Sequence, residues 1–450
     1  MSDPIRIVND ATCTFCGCVC DDIVLTVDTE QHRITKSQNA CVLGKAWFKE
    51  HGIEERPHAL IGGREASTEE GVEEAAQILA NARFPVIYGL SDTTCEAQRV
   101  AVSIADMIGG NVDTTTSVCH GPTGIAFQGV GESTATLGEI RNRADLVMFW
   151  GGNPAEAHPR LFSRYAVTPK GMFIPNGRKD RTVVLVDVRR TQSTPVADIF
   201  VQVKPGADFE LLWALRALVR GRRVDGAAVE RRTGIAMAVL EDLVVRMKSC
   251  RFGVLFFGMG LTMTRGRHFN AGALLSLATD LNEFTHFVAA PVRGHGNVTG
   301  ADNVMSWQTG FPFGVNLSRG YPRFNPGEFT AVDLLSRGEA DAAMFIATDP
   351  ASNFPKPAIE HMHRIPVISL DPKPTPTGQL SHVVFTTATY GINVAGTAYR
   401  MDNVPLPLRP AFDSPYPSDE EVLTAIRRRV GELLGGNRPP VGAPPAGIVT

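Results

Sequence analysis

The chain has 450 residues, of which 43% are hydrophobic and 20% charged, and its formal net charge is −3. That balance excludes a basic nucleic-acid or membrane-surface binder, and the length exceeds one ordinary core, so two or three lobes are expected. No apolar run reaches the ~20 residues that span a bilayer, and positions 1 to 10 lack the basic start and apolar core of a secretory signal, so the expected location is the cytoplasm.

Eight cysteines are present, five of them within the first 41 residues. In a reducing compartment such clustering points to metal rather than to disulfides. The spacing is Cys13-x2-Cys16-x3-Cys20-x20-Cys41, with Cys18 as a fifth thiol. Apolar and polar residues alternate over 22–28 and again over 33–35, which predicts a small hairpin between the third and fourth ligands. Four thiolates around a short β unit suit an iron–sulfur cluster or a structural zinc. Three ligands crowded on one loop, with the fourth returning later, favour a 4Fe-4S cluster over paired Cys-x2-Cys zinc. Cys95 and Cys250 lie in helix-like surroundings and are expected to pack.

An amphipathic helix is expected over 68–83, with Val72, Ala75, Ala76 and Leu79 on one face. A strand over 85–90 follows, and Ser91-Asp92 can cap a helix running to 108. Next comes Val118-Cys119-His120-Gly121-Pro122-Thr123-Gly124, a cysteine beside a histidine between a β-prone run (114–118) and a Gly/Pro loop. Cys119 read alone could be a nucleophile, a metal ligand or a small buried hydrophobe, and the segment by itself favours the buried hydrophobe, since free cysteine is among the most buried residue types. Beyond it, strands are expected over 145–150, 182–188, 252–257, 284–290, 342–347 and 366–370, with helices over 208–219, 269–281 and 331–336. Short buried strands alternating with helices predict an α/β fold with parallel sheets covered on both faces. The Pro- and Gly-rich tail over 437–445 is expected to be disordered.

Ligands in open α/β sheets bind beyond the carboxyl ends of the strands, and several expected strand ends carry suitable turns. They are Gly151-Gly152-Asn153-Pro154, Asp187-Val188-Arg189-Arg190-Thr191, Lys204-Pro205-Gly206-Ala207-Asp208, Gly258-Met259-Gly260, the run from Asp349 to Asn353, and Asp371-Pro372. Each by itself is an ordinary βα turn. Together, glycines at Gly152, Gly206, Gly258 and Gly260 admit phosphate oxygens to backbone N–H groups, while Asp187, Asp208, Asp349 and Asp371 can take ribose hydroxyls or guanine N–H donors. Two such sets, one in each half of the chain, suit two nucleotide-bearing ligands.

The cysteine loop and the Gly-Asn-Pro, Asp-Val-Arg-Arg-Thr and Lys-Pro-Gly-Ala-Asp turns resemble the molybdopterin oxidoreductases that carry two guanine-dinucleotide pterins. Within them the chain is similar to the B subunits of tungsten or molybdenum formylmethanofuran dehydrogenases, from about Thr12 to Leu408. It also resembles formate dehydrogenases through Arg293-Gly294-His295-Gly296-Asn297-Val298-Thr299-Gly300-Ala301-Asp302. The resemblance implies a molybdopterin oxidoreductase-like fold with a small N-terminal β unit. Cys13, Cys16, Cys20 and Cys41 would carry a 4Fe-4S cluster, and Cys119 would ligate tungsten or molybdenum held by two molybdopterin guanine dinucleotides. His120 and Arg293 would orient formate or carbon dioxide. The cofactor turns named above, with Asn153, Pro154, Arg189, Thr191 and Asn353, would hold the pterins. A soft thiolate suits such a metal, a guanidinium fork suits a carboxylate, and a histidine near its midpoint can move the accompanying proton. Related dehydrogenases place Lys-Gly after the fourth cysteine, whereas Gly44-Lys45 reverses that order here.

The expected organisation is a β unit over 1–60, an α/β lobe over 61–140 and 300–390, a second over 141–299, and a return segment over 391–435. A C-terminal pterin-covering lobe is expected to be missing and to be supplied by a small β-rich subunit. The resemblance further implies a zinc amidohydrolase-like subunit, a β-helix-like subunit and a ferredoxin-type electron carrier as partners. Reversible reduction of carbon dioxide to formate, coupled to formylmethanofuran, is the implied reaction. The alternative is a non-redox scaffold in a bacterial formyltransferase/hydrolase complex of one-carbon metabolism, and retention of Cys119, His120, Arg293 and the four cluster cysteines favours the enzyme.

Overall fold

Runs of β-branched and aromatic residues such as Leu146–Trp150 and Phe252–Phe257, buried at every position, become the central strands of a parallel sheet. The structure is a computed structural model that describes residues 5–435, and the tail 437–445 lies outside the described residues. The chain divides into two units: residues 5–52, 115–302 and 397–411, and residues 53–114, 303–396 and 412–435. Segment 115–140, expected to accompany 61–114, belongs to the first unit, where the helix Gly121–Val130 packs on the helix His268–Leu281.

The first unit holds a five-stranded, all-parallel sheet in the order Ile199–Gln202, Thr182–Asp187, Leu146–Trp150, Phe252–Phe257, His286–Pro291. The chain builds outward from Leu146–Trp150 to one side, then returns to its other side. The switch therefore falls between the strands that end at Trp150 and Phe257, where such sheets bind ligands. A three-stranded antiparallel sheet (Ile5–Cys13, Cys20–Asp28, Arg33–Gln38) is followed by the helix Val42–Glu50; Cys13 and Cys20 lie in its strands, and Cys41 caps the helix. The expected hairpin is its second and third strands. Thr12 Oγ1 donates to the carbonyl of Pro407 at 3.0 Å, tying this sheet to the hairpin Gly396–Tyr399 and Pro405–Leu408.

The second unit is built on nine strands whose core, Asn111–Thr114, Val86–Gly89, Ala343–Ile346, Val367–Asp371 and Val383–Thr386, is parallel and whose edges are antiparallel. The switch recurs between the strands ending at Gly89 and Ile346. The backbone is strained there: Leu90 has φ 68° and Ala347 φ 49°, positions disfavoured for side-chain-bearing residues.

Two local expectations change. The helix after the strand Val86–Gly89 spans Cys95–Ile108 and is capped by Thr94, whose hydroxyl accepts from Ala97 N–H at 3.2 Å; Ser91-Asp92 instead continue the switch-point loop. Of the run 114–118, only Thr114 is extended. Thr115–Val118 is a 3-10 turn, and Gly121-Pro122 opens an α-helix to Val130, because proline's fixed φ and missing N–H suit a first helical turn.

Candidate functional site

Cys119 sits between that 3-10 turn and the helix Gly121–Val130, its N–H bonded to the carbonyl of Thr116 at 3.0 Å. It is 7% exposed. Burial pushes its thiol up, while the nearby Arg293 guanidinium and the Gly294 N–H pull the other way. These are the surroundings of a sulfur that gains from a cationic partner.

His120 is fully buried. Its Nε2–H donates to the Val292 carbonyl at 3.2 Å, and Nδ1 accepts from the Thr123 hydroxyl at 3.1 Å. Desolvation, then the charge of Arg293, depress its pKa to about 3. Both ring nitrogens are committed to hydrogen bonds, and this depression favours the neutral ring.

Arg293 follows the strand His286–Pro291 and is 6% exposed. Its Nη2 lies 3.0 Å from Asp302 Oδ2, its Nη1 donates to Thr116 Oγ1 at 3.3 Å, and Thr116 donates to Asp302 Oδ1 at 2.6 Å. That closed ring fixes the guanidinium beside Cys119. Glu132 is felt by the same charge. Burial pushes its carboxyl up to about 7 against the pull of Arg293, and its buried Oε1 has no hydrogen-bond partner among the described residues.

The cysteine loop packs against the Arg293 loop. Gly17 N–H bonds to the Gly294 carbonyl at 3.3 Å, and Cys16 pairs with His295 in an isolated β-bridge. A Cβ on Gly17 would lie 2.5 Å from the Arg293 carbonyl, so only glycine fits this approach. Cys13, Cys16, Cys18, Cys20 and Cys41 line one small hollow with His158, Pro159 and Arg160. Burial, then the neighbouring cysteines, push the Cys13 and Cys20 thiols up, Cys20 to about 12. Such proximity of like groups is relieved by binding cationic metal.

Among the described residues, no group of three or more His, Cys, Asp or Glu side chains converges as a single-ion site requires. By donor chemistry, thiols ringing one hollow suit a zinc ion or an iron–sulfur cluster. Nδ1 of His158 and Nε of Arg160, two residues lining the same hollow, are buried without a hydrogen-bond partner among the described residues. Cys18 lies in the same ring and hydrogen-bonds Cys16.

The candidate cofactor turns of the first unit converge at the carboxyl edge of its sheet. Asn153 donates to Gln192 Oε1 at 2.7 Å and accepts from Ser193 Oγ at 2.7 Å, joining the turn before Pro154 to the loop of Asp187, Arg189 and Thr191. Gly152 lies against Gly258, and a Cβ on Gly258 or Gly260 would meet the Gly151 carbonyl at 2.6 or 2.7 Å. The N–H groups of Gly258 and Gly260 donate to the carbonyls of Trp150 and Gly151, so these two glycines serve the backbone approach. Gly206 (φ 76°) faces Arg265. Asp208 Oδ1 accepts from Trp150 Nε1 at 2.8 Å, and its Oδ2 is buried without a partner among the described residues.

In the second unit Asp349 Oδ1 accepts from the Thr377 N–H at 2.9 Å, and Asn353 donates back to the Asp349 carbonyl at 3.1 Å. Burial, with Asp419, Asp92 and Asp349 nearby, raises Asp371 to about 7. Asp371 accepts from the Lys373 N–H at 2.9 Å.

Sequence reasoning missed Thr116, Glu132, His158 and the role of Asp302. Only Asp302 carried a signal, as the last residue of the Arg293 motif.

No family model matches the chain. Its two-unit fold is similar to that of acetylene hydratase from Pelobacter acetylenicus, with TM-score 0.64 and 13% identity over 95% of this chain and 67% of that one. It is also similar to the formyltransferase/hydrolase complex FhcABCD from Methylorubrum extorquens in complex with methylofuran, with TM-score 0.68 and 25% identity over 84% of this chain and 99% of that one. The class so defined is a two-unit α/β protein built on largely parallel sheets. The chain is 43% identical to the B subunit of tungsten-containing formylmethanofuran dehydrogenase 2 of Methanocaldococcus jannaschii over 439 residues, 96% of this chain and 100% of that protein. It belongs to the family of formylmethanofuran dehydrogenase B subunits.

Proposed function

We propose that this chain is the redox subunit of a formylmethanofuran dehydrogenase-type complex, interconverting carbon dioxide and formate at a tungsten or molybdenum centre beside Cys119. The observation that carries this reading is the packing of the cysteine hollow against the loop that sets Arg293 beside Cys119. Cys13, Cys16, Cys20 and Cys41 would hold a 4Fe-4S cluster, and the two strand-switch edges would each take one pterin guanine dinucleotide. When bound, the metal and cluster supply two-electron chemistry and its one-electron relay.

The protein's part is binding and orientation. Arg293, locked by Asp302 and Thr116, offers a fixed positive field to a carboxylate-sized substrate. Neutral His120 presents a fixed wall rather than a titrating acid. Near-complete burial of Cys119, His120 and Arg293 excludes bulk water from the reacting region. Formate formed here would pass to a zinc amidohydrolase-like partner, with a small β-rich subunit, a β-helix-like subunit and a ferredoxin-type carrier completing the complex.

Elemental analysis and dye-linked formate oxidation on the anaerobically purified native complex test this. About four irons per chain with tungsten or molybdenum, bleaching of visible absorption in Cys16→Ser, and none in Cys95→Ser are expected. Likeness to the FhcABCD structure favours a scaffold role as the second reading. Absence of iron and of formate oxidation in the metal-replete complex decides for it.

A further inference from the structure

His158 belongs to both halves of the site. It lines the cysteine hollow together with Cys13, Cys16, Cys18, Cys20 and Cys41. Its Nε2–H donates to the Arg293 carbonyl at 2.6 Å, and Nδ1 is buried without a partner among the described residues. The residue is 4% exposed. It is brought inward as the C-cap of the one-turn helix Pro154–Ala157, its own N–H returning to the Pro154 carbonyl at 2.9 Å.

We infer that His158 is a positioning residue that couples the cysteine hollow to Arg293: one edge of the ring shapes the hollow, and the other holds the main chain from which the guanidinium projects. The inference rests on the proposed redox reading. Its physical content is a short, buried hydrogen bond from a residue that lines the hollow to the loop that carries the guanidinium. The same Arg293 carbonyl faces Gly17 at close approach, so the histidine and the cysteine loop clamp one peptide group from two sides. A change in the packing around the hollow therefore reaches the guanidinium through one carbonyl oxygen.

His158→Gln and His158→Leu in the native complex separate the two edges. Glutamine can keep a donor to the Arg293 carbonyl, whereas leucine fills space without one. In His158→Leu, KM for formate should rise roughly tenfold, the worth of one lost hydrogen bond. The electron paramagnetic resonance signal of the reduced cluster should shift as well. In His158→Gln the signal should shift while KM stays near wild type. An unchanged signal in both variants, or equal KM increases in both, overturns the coupling. A wild-type complex with no cluster signal overturns the redox reading beneath it instead, so the two failures are distinguishable.

Discussion

Arg293 and Asp302 form a buried ion pair, Nη2 to Oδ2 at 3.0 Å with both side chains about a tenth exposed or less, and Thr116 closes the ring between them. One guanidinium edge is thereby committed to the protein, and the field it projects toward Cys119 is fixed before substrate arrives. A charge so buried is costly to leave alone. Asp302→Ala should destabilise the protein by ~3–5 kcal/mol, because Arg293 loses its counter-ion. The double variant with Arg293→Met should recover much of that loss. Chemical denaturation of the four members of the cycle measures it, and additive losses would contradict the pairing.

Gly17 faces the Arg293 carbonyl with no room for a side chain, the built Cβ lying 2.5 Å from a backbone oxygen. A backbone atom cannot rotate away as a side-chain tip can. Gly17→Ala should therefore cost ~1–3 kcal/mol and loosen iron retention under mild chelation. Thermal melts and iron loss over time report the two effects, and an alanine variant as stable as wild type would show that the loops are not held together here.

Cys119→Ala should abolish dye-linked formate oxidation while leaving subunit assembly intact, since removing one buried sulfur disturbs packing little. Arg293→Lys keeps the charge but loses the planar fork that meets both Asp302 and Thr116, and the rate should fall ~10²-fold. Initial rates and size-exclusion profiles of the complex check both. Formate oxidation that survives in Cys119→Ala would transfer the case to the scaffold reading.

Glu132 gives a pH prediction with a definite sign. Its carboxyl is pushed from 4.5 to about 7 by burial. The native state therefore keeps a proton that the unfolded chain gives up, so its contribution to stability falls as pH rises from about 4.5 to about 7 and is level above. Glu132→Gln removes that loss. The variant should match wild type at pH 4 and exceed it above pH 7, by at most about 3 kcal/mol. Denaturation across pH decides it, and a constant offset at every pH would mean that Glu132 does not titrate in this window.

Local pattern made much of this molecule legible. The helices Asp208–Val219 and Ala331–Ser336 and the strand Phe252–Phe257 lie where burial period and flanking turns place them, because those signals are carried by neighbours in the chain. The cysteine spacing and the glycine turns at strand ends were legible for the same reason. Only the tertiary structure decided that Thr115–Val118 coils rather than extends, that Thr116 and Asp302 close on Arg293, and that His158 touches both the hollow and the Arg293 loop. It alone lowers the His120 pKa, since a pKa is set by desolvation and neighbouring charge, and those exist only once distant segments have packed.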